Sequence, residues 1–343
     1  MTVFAKAIIA WQKLHGRHDL PWQNTNDTYA IWVSEIMLQQ TQVAAVIGYY
    51  ARFMQRFPSI AALANASQEE VLQSWSGLGY YSRARNLHNA AQKIVDDCGG
   101  QGVDIQFPHN FDDILSLPGI GRSTAAAIST FALNAPRPIL DGNVKRVFAR
   151  HFNISGWPSA PKIEQQLWHI AVRENPNNEA IAYTQGLMDL GATLCTRTRP
   201  NCAACPVNAS CEALANNLVT SLPTPKPRKI IPEKSTTMLV HVCGDEVMLE
   251  KRPPVGIWGG LWSFPEVDDV ASDSPLAKLT HTFTHFKLHI TPQLIYTNRA
   301  NPQANEAGKI WLSIDDAIGA AIPTPIRKIL LQLKTLKYQA AQN

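Results

Sequence analysis

The stretch LPGIGRSTAAAISTFALNAPRPILDGNVKR, residues 117–146, joins a double-glycine turn, a helix of small residues and a lone acid. Gly119 and Gly121 flank one apolar residue and lead into a helix predicted from Ser123 to Phe131. Glycine lets an anion approach backbone N–H groups, and a helix N-terminus adds partial positive charge. The pattern is therefore typical of a site that binds a nucleic-acid backbone, although a simple corner between two helices would need the same glycines.

Farther along the chain, four cysteines fall within one short segment. They are Cys195, Cys202, Cys205 and Cys211, with the spacing C-x6-C-x2-C-x5-C. A loop of this kind can wrap a single centre, and four thiolates suit either an iron–sulfur cluster or zinc. The spacing differs from that of ferredoxin electron carriers. Arg197 and Arg199 lie within the loop and would either present cations to phosphates or remain ordinary solvated charges.

Two acids stand out from their surroundings. Glu35 lies in an otherwise apolar helical segment, where a carboxyl has a raised pKa and can act as a general acid near neutrality. The alternative is a glutamate at the edge of a buried stripe. Asp141 follows an apolar segment and would be either an ionised partner or the cap of a helix that begins near Asn143. One protonated and one ionised acid is the pairing that cleaves glycosidic bonds.

The length of 343 residues predicts two domains, and an apolar content of 45% is sufficient for ordinary cores. The net charge of +4 is only mildly basic, so nucleic-acid binding must be argued from motifs. No segment has the roughly 18 continuous apolar residues of a membrane span. Gln12 and Lys13 interrupt the N-terminal apolar run, which favours an amphipathic helix over a signal peptide and hence a cytoplasmic protein with reduced thiols.

Helical periodicity dominates residues 1–222 and includes one long apolar helix expected from about residue 30 to residue 54. A Pro-rich and basic stretch at residues 223–235 predicts a stiff linker. Beyond it, short alternating segments predict strands, and a helix is expected near the end of the chain. The expected fold class is therefore a mostly α N-terminal region followed by a smaller α+β domain at residues 236–343.

Taken together, the hairpin at residues 117–121, Asp141 and the four-cysteine loop resemble the helix-hairpin-helix DNA glycosylases of the endonuclease III superfamily. The resemblance is greater to the adenine-specific branch of that superfamily. The segments that carry it are SEIMLQQTQV at 34–43, GLGYYSRARN at 77–86, ILDGNVKR at 139–146, MDLGATLC at 188–195, GIWGGL at 256–261 and HTFTHF at 281–286. It thus covers nearly the whole chain and extends beyond the linker.

In that superfamily the helical region forms two subdomains around the DNA and the extruded base, and the four cysteines hold a [4Fe–4S] cluster. The resemblance implies that Glu35 protonates adenine at N7 and that Asp141 stabilises the oxocarbenium-like sugar. Asn143 lies where a supporting amide is expected. The implied adenine pocket consists of Trp22, Leu38, Thr41 and Gln185. Gln23 occupies a position where some members have arginine, so no contact is assigned to it.

The resemblance also implies a DNA-facing surface. Gln40 and Tyr80 match residues that enter the base stack beside the target pair, because a base must leave the duplex before it can react. The residues expected to contact DNA are Gln40, Tyr80, Gly119, Gly121, Ser123, Lys145, Arg197, Arg199, Phe283, Thr284 and His285. The expected partner is double-stranded DNA with adenine opposite 8-oxoguanine or guanine, bound by a monomer.

Ser123 separates two reaction types within the superfamily. Related bifunctional enzymes carry a lysine at this position, which forms a Schiff base with the sugar and leads to strand cleavage. A serine there predicts a monofunctional hydrolase that leaves an abasic site. Lys145 lies close in sequence to the proposed site and could trap the abasic product adventitiously.

The C-terminal domain resembles the Nudix-like domain that reads 8-oxoguanine in this branch. Hydrolytic Nudix domains need a helix with several carboxylates for Mg²⁺, whereas only scattered acids follow Pro265 here. These acids are Glu266, Asp268, Asp269 and Asp273. The domain is therefore expected to recognise the opposite base without pyrophosphatase activity. Thr284 replaces the serine that is common in the recognition loop.

The leading hypothesis is a glycosylase that removes adenine mispaired with 8-oxoguanine. One alternative is a glycosylase for another base, or a lyase. The other is a DNA-binding or redox-sensing module that carries a cluster without catalysis, against which the pairing of Glu35 with Asp141 argues. Cys98 and Cys243 are expected to be ordinary small apolar residues.

Overall fold

The computed structural model describes residues 1–98, 105–227, 231–268, 276–297 and 308–340. The chain forms two compact units. One comprises Met1–Ala64 with Asn89–Arg228, and the other comprises Asn65–His88 with Lys229–Asn343. The second unit thus contains a short segment from the N-terminal half of the chain. The domain boundaries expected from the sequence stay a prediction, and part of the predicted linker, together with Asp269 and Asp273, lies outside the described residues.

The described part of residues 1–222 is mostly helical, as predicted. The helices are α1 Val3–His15, α2 Thr28–Leu38, α3 Val43–Arg56, α4 Ile60–Asn65, α5 Gln68–Ser74, α6 Ser82–Asp97, α7 Phe111–Ser116, α8 Arg122–Leu133, α9 Gly142–His151, α10 Pro161–Glu174, α11 Ala180–Asp189 and α12 Glu212–Ala215. A π-helical turn, Leu190–Leu194, continues α11 toward the cysteine loop. Among the described helices, none is long and apolar enough to cross a membrane.

The prediction of one long helix between residues 30 and 54 was wrong. The chain leaves the helical conformation at Gln39, and Gln40 adopts a left-handed backbone with φ of +56°. Helices α2 and α3 are therefore separate, with the polar run of residues 39–42 between them. The side chains of this run are polar, whereas a single buried helix would need apolar residues at some of these positions. As a result, Gln40 is exposed at a bend.

A helix-hairpin-helix is present where the double-glycine turn predicted it. Helices α7 and α8 flank the turn, Ile120 is only 7% exposed, and Gly119 has φ of +80°. Gly119 and Gly121 are exposed on either side of this buried isoleucine. A left-handed residue favours glycine, since a Cβ there would crowd the backbone. The hairpin is therefore anchored by its apolar residue and presents glycine backbone outward.

One hydrophobic core cluster of the first unit lies among α1, α8, α9, α10 and α11. Ile8 of α1, Phe148 of α9, Leu167 of α10 and Leu187 of α11 are all buried in it. Residues of α1 approach α11 so closely that a Cβ added at Gly186 would lie 2.7 Å from the Ile8 side chain. This packing fixes α9 and α11, the two helices that carry Asp141 and Gln185.

Within its described residues, the second unit contains a seven-stranded mixed sheet and two C-terminal helices. The elements are β1 Glu233–Cys243, β2 Glu246–Lys251, β3 Trp262–Ser263, β4 Glu266–Val267, β5 Leu279–Thr282, β6 Lys287–Tyr296, β7 Lys309–Ser313, α13 Ile314–Gly319 and α14 Thr324–Ala340. The main path runs β3-β2-β1-β6-β5, with β1 and β6 parallel. This arrangement confirms the predicted α+β class.

Candidate active site

A cavity of about 610 Å³ opens between the loop after α1 and helices α2 and α11. Four of the residues singled out in the sequence line it, namely Trp22, Glu35, Leu38 and Gln185. Trp22 is buried, and its ring packs edge-on against Tyr50 with centroids 5.3 Å apart. Thr41 is not among the described residues that line the cavity, and its hydroxyl donates to the Gln39 carbonyl at 3.3 Å. Its role in the pocket stays a prediction.

Glu35 is the acid of this cavity. Its neighbours on α2 are almost all buried, and the Asp27 side chain caps the helix by accepting from the Tyr29 N–H at 2.9 Å. Burial, with a smaller contribution from the negative charge of Asp141, raises the pKa of the Glu35 carboxyl to about 8. Glu35 is therefore protonated at neutral pH and can donate a proton to a base in the cavity.

Asp141 caps α9. Its Oδ1 accepts from the Val144 N–H at 2.7 Å, so the capping interpretation of this residue is confirmed. Burial raises the pKa of the Asp141 carboxyl, while hydrogen bonds from the N–H groups of Val144 and Asn143 and the charges of Arg146 and Lys145 oppose that shift. Capping and a chemical role are compatible, because the backbone N–H groups that Asp141 caps also stabilise its negative charge.

Ser123 holds the segment that leads into Asp141. Its Oγ accepts a hydrogen bond from the Leu140 N–H at 3.0 Å, across 17 positions of the chain. Thus the residue immediately before Asp141 is fixed by a side chain of α8. The sequence predicted a DNA contact for Ser123 and the absence of a Schiff-base lysine, but it did not indicate this bond to Leu140.

Asn143 is fixed from two sides. Its Oδ1 accepts from the Arg146 guanidinium at 2.8 Å, and a Cβ added at Gly191 would lie 2.6 Å from the Asn143 Cβ. The absence of a side chain at residue 191 therefore allows the π-helical turn to pack directly on the start of α9. The Asn143 backbone N–H donates to Asp141, and the role of its side-chain amide stays a prediction.

A buried ion pair that the sequence did not reveal supports the cavity wall. Asp189 is 1% exposed and accepts from the Arg17 N–H at 2.9 Å and from Arg17 Nε at 2.7 Å. Asp189 also accepts from Gln185 Nε2 at 2.8 Å. Because the partners are 172 positions apart, no local pattern could have indicated them. The pair joins the loop that carries Trp22 to the helix that carries Gln185.

Gln23 is occupied by its own loop. Its Oε1 accepts from the Leu20 N–H at 3.1 Å, and its Nε2 donates to the Arg17 carbonyl at 3.0 Å. The side chain lines the cavity while its amide closes the turn. Both polar ends of the Gln23 amide are thus engaged within its own loop.

Several residues expected at the DNA surface of the first unit are exposed. Gln40, Arg197 and Arg199 are exposed, as are the two hairpin glycines. Lys145 is less free, because its ammonium forms an ion pair with Glu164 at 2.6 Å. The assignment of these residues to DNA contacts stays a prediction.

The four cysteines border one small cavity of about 30 Å³. Burial raises the pKa of the Cys205 thiol to about 11, and it also raises the pKa of Cys211. Within the part of the chain that the structure describes, no three His, Cys, Asp or Glu side chains are already grouped as a metal site. Four soft donors around one cavity nevertheless match the ligand chemistry of an iron–sulfur centre.

Two arginines of α9 hold the start of the cysteine loop. Arg146 Nε donates to the Cys195 carbonyl at 2.7 Å, and Arg150 donates to the Thr196 carbonyl at 2.7 Å and to Cys195 Sγ at 3.4 Å. The same helix begins at Asp141. The loop is therefore connected to the candidate active site through a single rigid element, which the spacing of the cysteines alone did not indicate.

In the second unit, the expected recognition loop forms the turn between β5 and β6. The Phe283 N–H donates to the Phe286 carbonyl at 2.9 Å, and the two rings stack with centroids 4.6 Å apart. Thr284 and His285 lie at the exposed tip of this turn. The Trp258 ring packs against the Phe283 ring, with centroids 5.4 Å apart. The turn therefore presents two polar side chains that are supported by a cluster of aromatic rings.

Comparison with known proteins accounts for this organisation. Residues 33–172 match the family described as HhH-GPD superfamily base excision DNA repair protein, and residues 236–332 match the NUDIX domain family. The adenine DNA glycosylase of Buchnera aphidicola from Schizaphis graminum is 36% identical over 96% of this chain and 98% of its own length. The human adenine DNA glycosylase is 32% identical over 96% of this chain and 73% of its own length.

Solved structures agree with these relatives. A thermostable thymine-DNA glycosylase aligns with a TM-score of 0.54 and 27% identity, covering 62% of this chain and 96% of its own. An endonuclease III–DNA complex aligns with a TM-score of 0.50 at 20% identity, covering 63% of this chain and 95% of its own, and shows the fold alone. The chain therefore belongs to the adenine DNA glycosylases of the helix-hairpin-helix base excision repair superfamily, and it is a DNA N-glycosylase.

Proposed function

We propose that this enzyme hydrolyses the N-glycosidic bond of adenine paired with 8-oxoguanine or guanine in double-stranded DNA, and that it does not cleave the strand. The observation that carries the proposal is the protonated Glu35 in a cavity of about 610 Å³, large enough to admit a purine base, with the Asp141 carboxyl close enough to contribute to its pKa. A purine is a poor leaving group until a ring nitrogen is protonated. A carboxyl that retains its proton at neutral pH supplies what that step requires.

The chemistry follows from the two carboxyl groups. Glu35 donates its proton to N7 of the extruded adenine, the bond from C1′ to N9 breaks, and the bonding electrons leave with the base. The positive charge that develops on the sugar is stabilised by Asp141. A water oxygen then bonds to C1′ and releases its proton to one of the two carboxylates. Ser123 offers no amine for a Schiff base, so the product is an abasic site.

Specificity for adenine would come from the cavity wall. The Gln185 amide nitrogen is committed to Asp189, which leaves its carbonyl oxygen as an acceptor for the exocyclic amine of adenine. Trp22 provides an aromatic surface for the base, and Leu38 provides an apolar one. In the second unit, the turn with Phe283, Thr284 and His285 would read the base opposite adenine.

The cysteine loop would hold a [4Fe–4S] cluster through Cys195, Cys202, Cys205 and Cys211. Such a cluster supplies a structural cross-link and is not required for the hydrolytic step. Its effect on the site would pass through Arg146 and Arg150, which connect the loop to α9 and hence to Asp141. Replacing Cys205 with serine is expected to lower iron and sulfide content in the purified protein and to reduce DNA affinity. A variant with full iron and sulfide content would contradict the ligand assignment.

The experiment that tests the proposed activity compares four duplexes under single-turnover conditions. They carry adenine opposite 8-oxoguanine, adenine opposite guanine, adenine opposite thymine, or an oxidised pyrimidine. Free adenine is expected from the first two alone, and strands are expected to break only after alkali treatment. Release of the oxidised pyrimidine would favour another glycosylase, prompt strand breakage would favour a lyase, and absence of any base release would favour a non-catalytic module.

A further inference from the structure

The loop between α5 and α6 presents an aromatic side chain on an unfavourable backbone. Tyr80 is 51% exposed and has φ of +48°, a left-handed conformation that a bulky residue rarely adopts. Gly77 and Gly79 on the same loop have φ of +100° and +78°. Backbone of this kind persists only where surrounding contacts determine it, and it is concentrated at functional sites.

Two side chains of the same segment stabilise the loop from one side. Trp75 Nε1 and the Arg83 guanidinium both donate to the Gly79 carbonyl, at 3.1 Å and 3.2 Å. The Arg83 guanidinium also lies 5.3 Å from the centroid of the Tyr80 ring. These contacts orient the carbonyl before Tyr80, but they come from residues next to the loop and do not tie it to another element.

The second set of contacts comes from the C-terminal part of the same compact unit. The Ile322 carbonyl accepts from Ser76 Oγ at 3.0 Å and from the Tyr81 hydroxyl at 3.2 Å. Arg327, on α14, donates to Ser76 Oγ at 3.0 Å. The Tyr81 hydroxyl in turn accepts from the Gly77 N–H at 3.2 Å. Both sides of the exposed tyrosine are thus joined to residues about 240 positions away.

Further contacts hold the flanking helices. Gln73 of α5 donates to the Gly319 carbonyl at 3.0 Å, and Arg85 of α6 donates to the Gly259 carbonyl at 2.8 Å. Because these bonds reach backbone carbonyls, they depend on the path of the C-terminal chain rather than on one flexible side chain. The helices before and after the Tyr80 loop are therefore anchored to the same partner as the loop itself.

We propose that Arg327 and the Ile322 carbonyl are positioning groups that hold Tyr80 ready to enter the DNA base stack, so that the C-terminal part of the enzyme controls the wedge used for base extrusion. This inference rests on the proposed function, together with the expectation from the family resemblance that Tyr80 enters the base stack. It assigns to the C-terminal part a second task beside reading the opposite base. Arg327 acts through Ser76, so it is not a catalytic residue.

The first test needs no DNA. Arg327→Met removes the guanidinium but keeps an unbranched apolar side chain, and Lys328→Met is a matched control at the next, exposed position of α14. Amide hydrogen exchange over residues 76–81 is expected to accelerate at least about tenfold in Arg327→Met alone, because the Ser76 contact is lost. Equal exchange in Arg327→Met, Lys328→Met and the parent enzyme would overturn the proposal.

The second test uses base release. Arg327→Met is expected to slow single-turnover adenine release about tenfold, and Tyr80→Ala is expected to slow it further. In the Tyr80→Ala background, Arg327→Met is expected to add less than about a twofold effect, since the group that it positions is gone. Full additivity would overturn the proposal, as would an unchanged rate for Arg327→Met in an otherwise intact enzyme. Failure of the proposed function would appear separately, as an intact enzyme that releases no adenine.

Discussion

The two carboxyl groups of the candidate site, those of Glu35 and Asp141, differ in how the protein surrounds them. Glu35 lies on an apolar helix, and burial together with the charge of Asp141 raises its pKa to about 8. Burial acts on Asp141 as well, but backbone donors at the start of α9 and the charges of Arg146 and Lys145 counteract it. The position of each group in its helix therefore gives two chemically similar carboxyls different electrostatic surroundings. A side chain in the middle of a helix meets no free N–H groups, whereas a cap meets several.

Removing the acid is expected to have the largest effect. Glu35→Gln preserves size and polarity but cannot transfer a proton, so adenine release should slow by at least about 10³-fold while DNA affinity is retained. Single-turnover base release and a gel-shift titration measure the two quantities. Glu179→Gln is the matched control, because Glu179 also lines the cavity but is paired with Lys13 and partly exposed. Near-normal release by Glu35→Gln would show that the acid is misassigned.

Asp141→Asn is expected to have the next largest effect and separates capping from charge. Asparagine caps helices about as well as aspartate, so α9 should be preserved and the thermal stability should not fall. Loss of the negative charge should slow base release by about 10²- to 10³-fold, as for other groups that stabilise developing charge. Base-release rates and thermal denaturation of the same preparations provide the measurement. A rate close to that of the parent enzyme would mean that Asp141 serves only as a cap.

The sequence revealed one side of this comparison more fully than the other. The apolar neighbours of Glu35 are local, so its raised pKa could be predicted from the helix alone. The hairpin was also predictable, because Gly119 and Gly121 flank an apolar residue in a recognisable order. The capping role of Asp141 was left as one of two alternatives, since a short Pro-Ile-Leu-Asp-Gly segment does not state which way a side chain points.

Contacts between residues far apart in the chain could not be predicted from the sequence. The pair of Arg17 with Asp189, the hydrogen bond from Leu140 to Ser123 and the hold of Ile322 on Tyr81 each join residues far apart in the chain. No periodic pattern encodes such contacts, because they depend on how helices pack. The bend at Gln40 was missed for a different reason. Gln39 and Gln42 are good helix formers, so propensity favoured a continuous helix, although the polar run of residues 39–42 lacks the apolar side chains of a buried helix.

Ser123→Ala tests whether the position of Asp141 matters, because it leaves the charge of Asp141 unchanged. The Leu140 N–H would lose its acceptor, so the segment before Asp141 should become less well fixed and base release should slow about fivefold to tenfold. Thr124→Ala is the control, because it removes the next hydroxyl on α8, which accepts from Gln39 and not from Leu140. Equal rates for the two variants would indicate that the Ser123 contact does not position Asp141.

The smallest expected effect concerns stability and depends on pH. An ordinary glutamate has a pKa of 4.5, and the folded protein raises that of Glu35 to about 8. As the pH rises from 4.5 toward 8, the unfolded chain gives up this proton first, so ionisation favours unfolding and the folded state loses stability. Glu35→Gln removes that penalty. Its melting temperature should exceed that of the parent enzyme by several degrees near pH 8 and match it near pH 4.

Asp141→Asn should behave differently in the same measurement, because donors and positive charges oppose the effect of burial on Asp141. The gain in melting temperature at high pH should therefore be smaller for Asp141→Asn than for Glu35→Gln. Thermal denaturation of both variants across this pH range gives the comparison directly. If the gain were equal for the two variants, the contrast between a mid-helix carboxyl and a capping carboxyl would not hold. Burial alone would then govern both groups.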